Sequence, residues 1–247
     1  MENKLKDMFT NLWQNYFSGA ELPIVFYYSD EVSENDLSDS KRENRCLIGN
    51  LNRVRNGHPF VYNSEVPGCL GGKRYSGFSE TLRPNFEHFL SCGIPGKVEG
   101  EKYKKTPGLV IEFLKNNPPF KAPKKHLIFK RWDKLTENDD PEVVVFFATP
   151  DVLSGLFTLA NFDRADSYGV ITPMGSGCAS IINIPLVESK SENPGAVLGM
   201  FDVSARPYVP ANILTFAIPI NRFLQMIKNM DESFLQTNSW NLVKNRI

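Results

Sequence analysis

The sequence lacks an excess of charge of either sign, a long apolar run and a dense set of cysteines. Its 28 basic and 28 acidic residues cancel, so no overall field attracts nucleic acid or an anionic surface. The longest uninterrupted apolar run, Val143 to Ala148, has six residues, whereas a helix that spans a bilayer needs roughly 20. These absences predict a protein that binds neither nucleic acid nor a membrane.

The cysteines are few and widely spaced. There are four in 247 residues, and no two of them form a Cys-x-x-Cys pair, so the spacing predicts neither a disulfide scaffold nor a local metal motif. Charged and polar side chains interrupt the first nineteen residues every two or three positions, which is not typical of a secretory signal. We therefore expect a cytoplasmic protein with reduced thiols.

Helical and strand patterns alternate along the chain. Helical spacing of apolar residues begins near Leu5 and recurs after Thr106-Pro107, Thr149-Pro150 and Pro219, where proline suits the first helical position and threonine can cap the helix before it. Short runs rich in aromatic and β-branched residues predict strands. These runs are Pro23 to Tyr28, Pro59 to Tyr62, His126 to Phe129, Val143 to Ala148, Gly169 to Thr172, Ala196 to Val203 and Leu214 to Ile218.

This alternation predicts an α/β or α+β fold, with a mixed sheet covered by helices in a single compact unit over residues 1–247. An apolar strand followed by a Gly-Cys step occurs in both halves of the chain. That echo suggests two similar halves, about 1–135 and 136–247, as a further hypothesis. The length allows one or two domains.

Three local patterns give narrower expectations. Ser40 and Glu43 have the spacing of a capping box, and they precede a helix that would carry Cys46 on its core-facing side. Ser79 is suited to cap a helix that continues to Leu90. The six Lys and Arg residues around His126 to Phe129 are more typical of a charged edge strand than of a nucleic-acid surface.

The segment from Gly68 to Arg74 is a candidate binding site. Around Cys69, the glycines Gly71 and Gly72 allow the main chain to approach a ligand, and the cations Lys73 and Arg74 would stabilise a thiolate or an anion. The alternative is a glycine-rich turn that holds an inert thiol.

A second candidate segment contains Gly177 and Cys178. It follows a predicted strand and precedes a predicted apolar helix, a place where free backbone N–H groups can hold an anion or lower a cysteine pKa. The spacing fits neither a P-loop nor a complete dinucleotide fingerprint. The alternative is a tight turn in which Cys178 serves as a small packing residue.

A metal centre would require residues that are distant in sequence to converge. Cys46, Cys69 and Cys178 are the candidate ligands for iron–sulfur or zinc binding. The three histidines, His58, His88 and His126, have no ligand spacing and are more typical of structural residues.

The same residues carry a resemblance to a known family. They are Arg45-Cys46, Arg55-Asn56-Gly57, Gly68-Cys69-Leu70-Gly71-Gly72 with Gly77-Phe78, Gly177-Cys178 with Pro185, and Gly199 followed by Arg206. This pattern resembles the bacterial and archaeal family called domain of unknown function 169, and it covers most of the chain. The resemblance implies that Cys69 and Cys178 belong to one pocket, and it implies no reaction.

The sequence therefore supports three functional hypotheses. The first is a small anionic ligand or cofactor held between the two Gly-Cys loops, with charge supplied by Lys73, Arg74 and Arg206. The second is an iron–sulfur or other metal protein that uses the three candidate cysteines. The third is a thiol-dependent enzyme. No motif identifies the ligand, the cofactor, the catalytic residue or the oligomeric state.

Overall fold

A single mixed sheet forms the centre of the protein. We describe it from a computed structural model that covers residues 3–37 and 44–247. The strands are β1 (Ile24–Ser29), β2 (Phe60–Asn63), β3 (His126–Arg131), β4 (Val143–Ala148), β5 (Val170–Ile171), β6 (Ala196–Gly199) and β7 (Leu214–Pro219). They lie in the order β2-β3-β1-β4-β7-β6-β5, and only the β5–β6 pair is parallel among the described strands.

The strand β4 lies at the middle of this sheet, as its unbroken apolar sequence predicts. It pairs with β1 on one side and with β7 on the other, and all six of its residues are buried. Such a strand needs cover on both faces, because its side chains alternate between them. The sheet is therefore enclosed between two layers.

Helices supply both layers. They are α1 (Asn3–Tyr16), α2 (Leu47–Arg55), α3 (Leu70–Tyr75), α4 (Phe86–Phe89), α5 (Pro107–Asn116), α6 (Pro150–Asn161), α7 (Ile184–Glu188), α8 (Ile220–Asn229) and α9 (Asn238–Lys244). A π-helical segment, Ala179–Asn183, leads directly into α7. As expected from the sequence, Thr106 caps α5 by accepting a hydrogen bond from the Leu109 N–H.

Each face of the sheet has its own apolar core. The helices α1, α6, α8 and α9 pack on one face, together with Val144 and Phe146 of β4. The helix α2 and the π-helical segment pack on the other face, together with Val143 and Val145. The candidate site lies on this second face, because Cys178 belongs to its core and Cys46 packs against it.

The expectation that His126 to Phe129 forms an edge strand was wrong. β3 lies between β2 and β1, and its Lys130 is fully buried. The Lys130 ammonium lies 2.5 Å from the carboxylate of Asp36 and 2.7 Å from that of Asp139. Two carboxylates thus neutralise the cation that a charged edge strand would expose to water.

Two element boundaries also differ from the predictions. The helix expected from Ser79 to Leu90 is only α4, because it starts after Pro84 and after Asn85, whose φ of 58° is left-handed. The strand expected from Ala196 to Val203 ends at Gly199, because Met200 has a left-handed φ of 72°. The predicted capping pair Ser40 and Glu43 falls outside the described residues.

Over residues 3–37 and 44–247, no helix has both the length and the apolar composition required to cross a bilayer.

Candidate functional site

Cys69 stands at the start of the short helix α3. The sequence folds in this way because the glycine-rich stretch that follows β2 leads into a turn whose first helical hydrogen bond joins the Lys73 N–H to the Cys69 carbonyl. The Gly72 N–H donates to the Cys69 sulfur at 3.2 Å. Cys69 is half-buried.

Cys46 stands at the start of α2 rather than on its core-facing side. The expectation of a buried helical cysteine was therefore wrong, and Cys46 is half-buried. The buried Asn50 fixes this turn: its amide donates to the carbonyl of Asn44 at 2.6 Å and to that of Cys46 at 3.0 Å. An amide that satisfies two carbonyls at a helix start gives Cys46 a defined position.

The turns that hold Cys46 and Cys69 lie side by side. The main-chain N–H of Cys69 donates to the carbonyl of Arg45, the residue before Cys46, at 3.1 Å. The two thiols also interact directly, with Cys46 as the hydrogen-bond donor and Cys69 as the acceptor. Two cysteines that helix α2, strand β2 and a loop separate in the sequence therefore lie next to each other.

This contact gives the two thiols opposite acidities. The hydrogen bond from Cys46 lowers the pKa of Cys69 to about 5, against the opposing effect of burial, and backbone N–H groups of Gly72 and Leu47 add to the lowering. The same hydrogen bond, together with burial, raises the pKa of Cys46. At neutral pH the pair is thus one thiolate and one neutral thiol.

Cys178 lies near this pair, behind the surface. It stands at the start of the π-helical segment and is 6% exposed. Burial raises its pKa, and the nearby charge of Cys69 raises that pKa further. The preceding residue, Gly177, donates its N–H to Asp202 at 3.0 Å.

The three cations proposed from the sequence hydrogen-bond to main-chain carbonyls. Lys73 donates to the carbonyls of Asn63 and Ser64 and lies over the ring of Tyr62. Arg74 donates to the carbonyl of Glu80 at 3.0 Å. Arg206 donates to the carbonyls at positions 210, 211 and 213. Their hydrogen bonds therefore stabilise loops around the cysteines.

The glycines of the two Gly-Cys segments differ in their surroundings. A Cβ atom on Gly72 would lie 3.1 Å from the Tyr62 hydroxyl, and one on Gly177 would lie 3.1 Å from the Met200 sulfur. A Cβ atom on Gly71 would meet nothing within 4 Å. Gly72 and Gly177 thus allow close packing, whereas Gly71 leaves space beside the start of α3.

Sequence reasoning grouped Cys46 with Cys69 only as a candidate metal ligand, expected it to be buried, and did not identify Asn50. The spacing of Ser40 and Glu43 placed the start of this helix before Cys46, so the sequence did not mark Cys46 as the residue that precedes the first turn. The pairing itself depends on the hydrogen bond between positions 45 and 69, which no sequence pattern shows. In residues 3–37 and 44–247, no group of three or more His, Cys, Asp or Glu side chains is placed to hold a metal ion.

Comparison with known proteins gives one result for the family. The model of the DUF169 family, described as uncharacterised ArCR, matches residues 17–229, which include all four cysteines. No curated protein and no solved structure matches the chain. Because the match covers most of its length, the chain belongs to the DUF169 family.

Proposed function

We propose that this protein is a thiol-dependent enzyme in which the Cys69 thiolate attacks a small electrophilic substrate. The observation that carries the proposal is the placement of the two turns side by side, joined by the main-chain hydrogen bond from Cys69 to Arg45 at 3.1 Å. The hydrogen bond from the Cys46 thiol to the Cys69 sulfur supports it. A thiolate is the nucleophilic form of cysteine, and a neighbouring hydrogen-bond donor maintains it at neutral pH. Cys46 then holds the proton that a leaving group requires.

The position of Cys69 supports this role. Its side chain is half-buried rather than enclosed, and the neighbouring Gly71 leaves open space at the same turn. A substrate can approach the sulfur there, and the main chain of the first turn lies close enough to contact it. Cys178 has neither the exposure nor the acidity for attack.

An anionic ligand between the two Gly-Cys loops is the weaker hypothesis. Lys73, Arg74 and Arg206 already donate to main-chain carbonyls. The sulfur of Cys69 is itself the anion that the local N–H groups stabilise. A second anion at this place would meet repulsion from the thiolate.

A metal centre built from the three cysteines receives less support than the thiolate. In the part of the chain that the structure describes, no cluster of three or more His, Cys, Asp or Glu side chains is placed to hold a metal ion. Metal analysis of the purified protein tests this alternative directly, and stoichiometric iron or zinc would favour it over ours.

The test of the proposed function is the pH dependence of alkylation at each cysteine, followed by mass spectrometry with iodoacetamide as the probe. We expect the rate at Cys69 to be nearly constant above about pH 6, because its pKa is about 5. The rate for a free thiol such as N-acetylcysteine in the same buffer should instead rise about tenfold per pH unit until pH approaches the ordinary thiol pKa of about 8.5.

Two substitutions of Cys46 distinguish the effect of its hydrogen bond on Cys69 from the effect of losing its sulfur atom. Cys46→Ala removes the donor, so the pKa of Cys69 should rise and its alkylation at pH 6 should fall roughly tenfold, since lower thiolate content outweighs higher intrinsic nucleophilicity. Cys46→Ser keeps a hydroxyl donor and should retain most of the wild-type rate. If Cys69 in the wild-type protein followed the same pH profile as the free thiol, the proposed function would be wrong.

A further inference from the structure

Cys46 and Cys69 are placed to form a covalent bond as well as a hydrogen bond. Their turns are joined by the main-chain hydrogen bond from Cys69 to Arg45 at 3.1 Å, and each cysteine directly precedes the first residue of a helix. A disulfide requires Cα atoms within about 7 Å and side chains that face each other. The main-chain hydrogen bond brings the two turns together, and the hydrogen bond between the thiols brings their side chains together.

A two-cysteine redox centre also requires two thiols with different roles. Attack on an oxidant needs an accessible thiolate, and resolution of the oxidised sulfur needs a second thiol within bonding reach. Both cysteines are half-buried, whereas Cys178 is 6% exposed in the core of the same face. Cys46 is thus the available partner for Cys69.

We propose that Cys69 and Cys46 form a two-cysteine redox centre that reduces hydroperoxides, with Cys69 as the oxidised nucleophile and Cys46 as the resolving thiol. This inference rests on the proposed function, since it uses the same Cys69 thiolate and names hydroperoxides as its substrate class.

The reaction balances in two steps. The Cys69 thiolate attacks the distal oxygen of the hydroperoxide, so an S–O bond forms, the O–O bond breaks and the alkoxide takes the proton of Cys46 to leave as an alcohol. The Cys46 thiolate then attacks the Cys69 sulfenic acid, the S–S bond forms, and hydroxide leaves and takes one proton from solvent to become water. The two sulfurs lose two electrons and the peroxide gains them; a dithiol reductant restores the thiols.

The disulfide would change the protein locally. It would join the starts of α2 and α3, which a main-chain hydrogen bond already holds together, and it would remove the one thiolate of the site. Oxidation therefore ends the reactivity of Cys69 until a reductant reverses it, and no large movement of the two helices is needed.

The experiment treats the native protein with hydrogen peroxide or cumene hydroperoxide, then alkylates the remaining thiols in denaturant and maps peptides without reduction. We expect loss of alkylation at Cys46 and Cys69 and a peptide in which they are linked, with Cys92 and Cys178 still alkylated and full recovery after dithiothreitol. In Cys46→Ser the linked peptide should be lost, and a dimedone adduct should accumulate on Cys69. Cys92→Ser is the matched control and should behave as the wild type.

Three outcomes would overturn the redox inference: no linked peptide in the wild-type protein, a link from Cys69 to Cys178, or a sulfenic acid on Cys69 that persists although Cys46 is present. Each of them leaves the proposed function intact if the alkylation rate of Cys69 is still nearly constant above about pH 6. Loss of that constant rate contradicts the proposed function itself. Because the wild-type measurement needs no substitution, a Cys46 variant that fails to fold does not prevent the test.

Discussion

At the residue scale, the buried Lys130 shows how this protein compensates a charge inside its sheet. Its ammonium contacts the carboxylates of Asp36 and Asp139, and Tyr27 donates its hydroxyl to Asp139. Burial opposes ionisation of Asp139, but hydrogen bonds from Lys130 and Tyr27 outweigh it and lower the pKa of Asp139. Removing the cation would leave buried carboxylates without a counter-ion.

Lys130→Met should destabilise the protein by about 3–5 kcal/mol at pH 7, because breaking a buried ion pair leaves an uncompensated charge. Urea denaturation measures the change. The matched control is Lys134→Met, since the Lys134 side chain is half exposed and its ion pair with Asp133 is long; it should change stability by less than about 1 kcal/mol.

The same pair of variants has an expected pH dependence. A lowered pKa of Asp139 contributes stability above its unfolded value of about 3.9, and this stability is lost as pH falls through the folded value. In Lys130→Met that contribution is absent, so the difference from the wild type should be largest above pH 5 and should shrink on acidification. A difference that grows as pH falls would contradict the role of Lys130.

At the scale of elements, the first and last described helices pack on each other. Trp240 of α9 is 3% exposed, donates its indole N–H to the carbonyl of Tyr16 at the end of α1, and contacts the ring of Phe17. Both helices lie outside the region matched by the family model. They nevertheless complete the core on the face of the sheet opposite the cysteines.

Trp240→Ala should cost about 3–5 kcal/mol, because it removes a large buried aromatic side chain. Leu242→Ala in the same helix is the control, since Leu242 is 73% exposed, and it should stay within about 0.5 kcal/mol of the wild type. Thermal or urea denaturation checks both. Equal effects of the two substitutions would mean that α9 is not docked through Trp240.

The helices and strands that the sequence predicted correctly are those whose residue pattern matches their burial and their position in the fold. The run from Val143 to Ala148 identified β4, and Thr106 with Pro107 identified the start of α5. The predictions failed where single residues adopt left-handed backbone, as at Asn85 and Met200, because asparagine and methionine do not require that conformation. The π-helical segment also has no sequence signal of its own.

The candidate site was predictable in part for the same reason. Glycines mark the segments of Cys69 and Cys178, so both were selected from the sequence. The pairing of Cys46 with Cys69 depends on a contact between two turns that are distant in the chain. The partners of Lys73 and Arg206 are main-chain carbonyls. A sequence does not show which main-chain carbonyl a side chain will contact.

At the scale of the whole molecule, the sheet joins both halves of the chain. The strands β1, β2 and β3 come from the first half and β4 to β7 from the second, and the halves meet where β1 pairs with β4. The helix α2 of the first half and the helix α6 of the second lie on opposite faces. The hypothesis of two similar halves stays a prediction.

A shared sheet predicts cooperative unfolding. We expect tryptophan fluorescence, which reports the core around Trp13, Trp132 and Trp240, and alkylation of the buried Cys178, which reports the opposite core, to give one coincident urea transition. Two separate midpoints would show that the halves, or the two faces, unfold independently.

The register of the central strands also constrains how the chain can be assembled. Ile24 of β1 is opposite Arg131 of β3 and Val145 of β4, so both partners of β1 among the described strands leave the ribosome about 100 residues or more after it. Contacts of such long range are associated with slow folding, because the entropy of closing a large loop is lost before pairing compensates it. During synthesis, the edges of the apolar segment Ile24–Ser29 therefore stay unpaired until β3 and β4 have formed. We expect this segment to be the part of the nascent chain most prone to aggregation.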